Sequence, residues 1–137
     1  MKDLVIDTNK LISALISPNG RTAEKIIDLS SQFRLNACHF LYVEIFAHKN
    51  KILKASRLTE PELLELMLGV FNKVTFVSEI HISKENWQKA TLLCEEKDPK
   101  DIPHVALSLF LKCELWTGDE KLKQHLISKG FVDVFEF

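Results

Sequence analysis

Short apolar runs alternate along this chain with longer stretches whose apolar residues recur at helical spacing. Leu4, Val5 and Ile6 run straight into an acid, as in a strand buried on both faces. The segment "SPNGR", with Pro18 and Gly20 as breakers, reads as a loop before a helix that begins near Thr22 and repeats Ala23, Ile26, Ile27 and Ser30. Phe33 to Ala37 reads as a strand and Leu41 to Lys54 as a longer helix. Thr59 and Glu62 form a capping box with Pro61 in the first turn of an amphipathic helix carrying Leu63, Leu64, Leu66, Met67, Val70 and Phe71. Val74 to Ser78 is β-branched and aromatic, a strand. Ser83 caps a helix running to about Glu96, where Asp98 and Pro99 stop it. Ile102 to Lys112 is helical and apolar almost all round, hence well buried. "LWT" is a strand, "DEKLKQHLISKG" a helix ending at Gly130, and "VDVFEF" a last strand. Strands alternating with helices predict an α/β fold, a three-layer α/β/α sandwich around a mostly parallel sheet of about five strands.

Composition narrows this picture. At 137 residues the chain is read as one domain spanning residues 1–137. Its 46% hydrophobic content is that of an ordinary globular protein. A net charge of -1 excludes a broadly basic nucleic-acid footprint and leaves room for a local patch. Cys38, Cys94 and Cys113 are widely spaced with no C-x-x-C pair, so they read as buried thiols of a reducing compartment. Asp3 and Asp7 interrupt any signal-peptide core, and no run approaches the ~18 apolar residues of a membrane span, so a cytoplasmic protein is expected.

The candidate chemistry lies in carboxylates. Ligands of open parallel sheets sit beyond the carboxyl ends of the strands. Asp7 follows "LVI", Asp119 follows "LWTG", and Asp101 precedes the buried helix. Each of these aspartates also suits an ordinary helix cap. Glu44 sits inside the apolar run "FLYVEIFA", where an acid needs a partner, either a lysine or a metal. Were they to converge, their repulsion would cost stability unless a hard cation, Mg²⁺ or Mn²⁺, relieved it. Such ions favour phosphodiester hydrolysis.

The residues "VIDTN", Glu44, "DPKDIPHVALSL" and "LWTGDEKL", in this order, resemble a PIN domain, the small metal-dependent ribonuclease fold of many toxins of toxin–antitoxin pairs. The resemblance spans nearly the whole chain. It implies an Mg²⁺- or Mn²⁺-dependent endoribonuclease whose site is Asp7, Glu44, Asp101 and Asp119, holding one or two ions. Thr8 and Asn9 match positions that orient the first aspartate, and Thr117 matches a supporting hydroxyl. Asp98 matches a peripheral acid of some members, although a helix stop before Pro99 accounts for it. A protein antitoxin is implied, and the helix from Leu63 to Phe71 offers a groove for it or a homodimer face, with core packing the preferred reading for most of those residues. Lys10 departs from the aliphatic residue common at its position and is read as solvated.

RNA also needs its backbone held. Lys49, Lys51, Lys54 and Arg57 lie in an acid-free stretch and form a candidate phosphate-contacting edge, the alternative being a solvated helix end. His104 is read as a packed or surface histidine, and Trp87 and Trp116 as core. An aspartyl phosphatase is disfavoured, because the second acid it needs is Asn9 here. A non-catalytic RNA-binding relative and an RNA-processing nuclease stay open as alternatives.

Overall fold

The computed structural model describes residues 1–136. Strands β1 (Lys2–Ile6), β2 (Phe33–Cys38), β3 (Val74–Val77) and β4 (Glu114–Trp116) form one parallel sheet in the order β3-β2-β1-β4. The helices are α1 (Thr8–Ile16), α2 (Arg21–Ser30), α3 (Phe40–Ala47), α4 (Lys49–Ser56), α5 (Glu60–Phe71), α6 (Lys84–Leu93), α7 (Ile102–Leu111) and α8 (Glu120–Ser128). Strand periodicity of two explains the layering. Leu4 and Ile6 of β1 face a core with Leu11, Leu15, Ile26, Ile45, Ile52 and Leu63 from α1 to α5. Val5, between them, faces Ala90, Val105, Leu107, Leu122 and Leu126 from α6 to α8. The three-layer α/β/α sandwich is therefore observed, and no described helix is long and apolar enough to cross a membrane.

Four strands form the sheet, against about five expected. The stretch over 132–137 makes one parallel bridge, Leu115 to Val134, with residue 137 outside the described residues. The Val134 N–H turns back onto the Val132 carbonyl at 2.8 Å, a three-residue turn that ends any extended pairing. The single helix expected from Leu41 to Lys54 is two, α3 and α4, parted at His48 (φ -101°, ψ 8°). The apolar pattern runs through the break because Ile45 and Ile52 enter the same core. α6 stops at Leu93, before the Glu96 expected, and Glu96 itself adopts a left-handed φ of 70°.

Strand order places the site. The chain moves outward from β1 through β2 to β3, then returns to add β4 on the other side of β1. That reversal lies between β1 and β4, and it opens a crevice beyond their carboxyl ends.

Candidate active site

Asp7 leaves β1 directly into this crevice and is also the N-cap of α1. Its Oδ1 accepts the Asn9 backbone N–H at 3.2 Å, and its Oδ2 accepts the Thr117 hydroxyl at 2.7 Å. Its own N–H donates to the Trp116 carbonyl at 3.0 Å, which ties it to the end of β4. Asp7 is buried at 6% exposure, so these bonds hold both oxygens in a fixed orientation. Asp119 lies two residues beyond Thr117 and caps α8, its Oδ1 accepting the Leu122 N–H at 3.0 Å. Its own N–H donates to Thr117 Oγ1 at 3.1 Å. One threonine hydroxyl thus registers the two aspartates against each other.

Asp101 ends a 3₁₀ turn, Pro99–Asp101, at the entry to α7. Burial, and then the charges of Asp7, Asp119 and Asp98, push its carboxyl up to about 7. Burial contributes most to this shift, and the neighbouring carboxylates add to it by like-charge repulsion. Asp98 is exposed and caps the turn by accepting the Lys100 N–H at 3.0 Å, the helix-stop role read from Pro99.

Glu44, on α3, meets Thr8 and His104. The Thr8 hydroxyl donates to its Oε1 at 2.6 Å and His104 Nε2 lies 2.8 Å from the same oxygen. Burial works to raise the Glu44 carboxyl, but these two bonds and the nearby charges of His104 and Lys100 outweigh it and hold the group below its ordinary value. Burial works to lower His104, but its bonds to Cys38 and Glu44 and the charge of Asp7 carry the imidazole well above its usual range. The two form an ion pair, so Glu44 has a partner that is neither of the two expected for it, a lysine or a metal. The Thr8 hydroxyl goes to Glu44 and not to Asp7, correcting the role matched for it. The Asn9 side chain is likewise elsewhere, its Oδ1 accepting the Gly118 N–H at 3.2 Å.

Further residues were missed or misread. Both Glu79 oxygens accept the His39 and Phe40 N–H groups at 2.8 and 2.9 Å. They supply the N-terminal cap that α3 lacks, since His39 offers no side-chain bond. Lys10 is half-buried, with Nζ 5.0 Å from the centre of the Trp116 ring, so the solvated reading is replaced by a packed one. Trp116 is core, at 1% exposure, and Trp87 is half-buried against the α6 to α8 side. Of the candidate phosphate-contacting cations on and after α4, Lys51, Lys54 and Arg57 are exposed, whereas Lys49 pairs with Glu60 at 2.9 Å. Burial pushes the Cys94 and Cys113 thiols up to about 12, which keeps both protonated and unreactive.

Among the described residues, no three His, Cys, Asp or Glu side chains are drawn together closely enough to hold a metal ion as they stand. The donor set is nonetheless one of hard carboxylate oxygens, with the site's histidine turned inward onto Glu44. Two apolar grooves, of about 550 and 520 Å³, include none of the four acids in their lining. The cavity beside the site, about 200 Å³, is lined by Lys10, Thr117, Gly118, Glu120 and Lys123.

The fold is a parallel α/β/α sandwich with Asp7 and Asp119 at its switch point. The chain belongs to the PIN domain family, a family of nucleases: its profile matches residues 5–129. No curated protein matches the chain.

Proposed function

We propose that this protein is a metal-dependent endoribonuclease that hydrolyses RNA phosphodiester bonds. The observation that carries the reading is the placing of Asp7 and Asp119 on one Thr117 hydroxyl at the β1/β4 switch point, with Asp101 partly buried at the entry to α7. Like charges keep these carboxylates apart, and a hard dication draws them together. Asp7, Asp101 and Asp119 would hold one or two Mg²⁺ or Mn²⁺ ions, with Glu44 placing an ion or the attacking water. Such ions supply Lewis acidity and a more acidic bound water. The protein's own contribution is orientation: Thr117 and the Asn9 N–H fix Asp7, and α8 fixes Asp119. In-line attack by water breaks the bond to the 3′ oxygen and leaves 5′-phosphate and 3′-hydroxyl ends. The test is cleavage of defined RNAs with and without Mn²⁺, using Asp7→Asn as control. Metal-independent cleavage that survives the substitution overturns the assignment.

The toxin of a toxin–antitoxin pair is the fuller reading. Its support is an apolar face that α3 and α5 leave exposed, formed by Tyr42, Val43, Phe46, Leu64 and Leu68 beside a groove of about 520 Å³. A surface of this kind suits a protein antitoxin or a second copy of the chain. Growth arrest on expression, relieved by a co-expressed partner, supports it. An active nuclease that leaves growth untouched points to RNA processing instead.

A further inference from the structure

Glu44 is hydrogen-bonded on one side only. Oε1 receives both the Thr8 hydroxyl and His104 Nε2, at 2.6 and 2.8 Å, while Oε2 has no hydrogen-bond partner among the described residues. His104 is 2% exposed and engaged at both nitrogens, its Nδ1 lying 3.6 Å from Cys38 Sγ at the end of β2. The ring therefore cannot turn without losing a buried contact. His104 also sits on α7 one turn after Asp101, so it braces the helix bearing Glu44 against the helix that Asp101 opens.

We propose that His104 is a positioning residue: with Thr8 it saturates Oε1 and fixes the Glu44 carboxylate, leaving Oε2 as the single oxygen offered to a cation or its bound water. The inference rests on the metal-site reading above and assigns a role to a residue outside the acidic set. Partners behind a metal-binding carboxylate raise affinity by locking its orientation, and their loss costs roughly 10–100-fold. A histidine that merely filled space would be replaceable by any side chain of similar volume.

The experiment is calorimetric titration of the purified full chain with Mn²⁺ alone, with apo melting midpoints recorded in parallel. His104→Leu and Thr8→Val each weaken Mn²⁺ binding by about tenfold or more, whereas His104→Gln, whose amide N–H stands near the Nε2 position, stays within about threefold of wild type. Wild-type affinity in a folded His104→Leu protein overturns the proposal. Thr8→Val, which swaps a hydroxyl for a methyl, decides the matter in the same way if the leucine variant does not fold. A Gln variant as weak as the Leu variant also counts against it. Wild-type protein that binds no Mn²⁺ sinks the metal-site reading and this inference together. Binding that Asp7→Asn abolishes and neither Oε1 partner affects sinks the positioning role alone.

Discussion

At the scale of single residues, Asp101 carries a stability cost with a definite pH dependence. Its carboxyl is raised from an ordinary 3.8 to about 7 by burial and by its acidic neighbours. The folded state thus holds a proton that the unfolded state has released across that window, so stability falls as pH rises from about 4 through about 7. Asp101→Asn removes the cost. Asp101 is partly exposed, so water screens the effect and leaves a gain on the order of 1 kcal/mol at pH 8. Urea unfolding of the metal-free protein should show that gain at pH 8 and its disappearance near pH 4; an equal gain at both would mean that the charge is not the cause. On the proposed metal-site reading Mn²⁺ should act in the opposite sense, stabilising wild type by about 2.7 kcal/mol at a hundred times its dissociation constant. On the same reading Asp101 binds the ion as a carboxylate, so that stabilisation should weaken below pH 7. The acids were legible in the sequence because each leaves a local mark: a strand that stops at an acid, or an acid stranded in an apolar run. Their partners were not. Thr8 and His104 lie 36 and 60 positions from Glu44, and only the packing of α1, α3 and α7 brings them to one oxygen.

At the scale of elements, α3 shows how a site-bearing helix depends on a distant segment. The first turn of any helix leaves N–H groups that need acceptors, and α3 has no acid of its own there. Glu79, from the 3₁₀ turn Glu79–His81 that follows β3, reaches two of them with one carboxylate. Caps of this kind contribute about 1–2 kcal/mol, with a further share from the helix dipole. Glu79→Ala should lower the unfolding free energy by about that amount, with Glu79→Gln in between because one acceptor oxygen remains. Equal stability of all three proteins in urea would show the contact to be idle. The sequence announces the caps that are local, such as Thr59 with Glu62, where both halves of the box lie within one turn. It conceals a cap supplied from 39 and 40 residues away. The break at His48 is hidden for a related reason: it carries no glycine or proline, and the core residues on either side keep helical spacing.

At the scale of the whole molecule, the alternation of strands and helices gave the layers, but strand order came from tertiary packing. The order β3-β2-β1-β4 puts β1 beside β4 and so brings Asp7 and Asp119 close together, and no local pattern encodes which side of β1 receives β4. The same scale governs how a chain of net charge -1 engages a polyanion. Long-range attraction is nearly absent, so any grip on RNA must come from a local patch. Lys51, Lys54 and Arg57 are exposed, and α4 that bears the two lysines follows directly from α3, which holds Glu44. Each cation that neutralises a phosphate of single-stranded RNA releases counterions and adds about 0.7 to the slope of log affinity against log salt. Joint reversal of Lys51 and Lys54 to Glu should therefore reduce that slope by roughly 1.4 and weaken binding at low salt. Lys49→Glu is the contrasting control, since that lysine is already engaged with Glu60 and its reversal acts mainly through a lost surface pair. Fluorescence anisotropy with a labelled RNA across a salt series measures both. A slope unchanged by the double reversal would assign the RNA path to another face, with the half-buried Lys10 beside Gly118 the next cation to reverse.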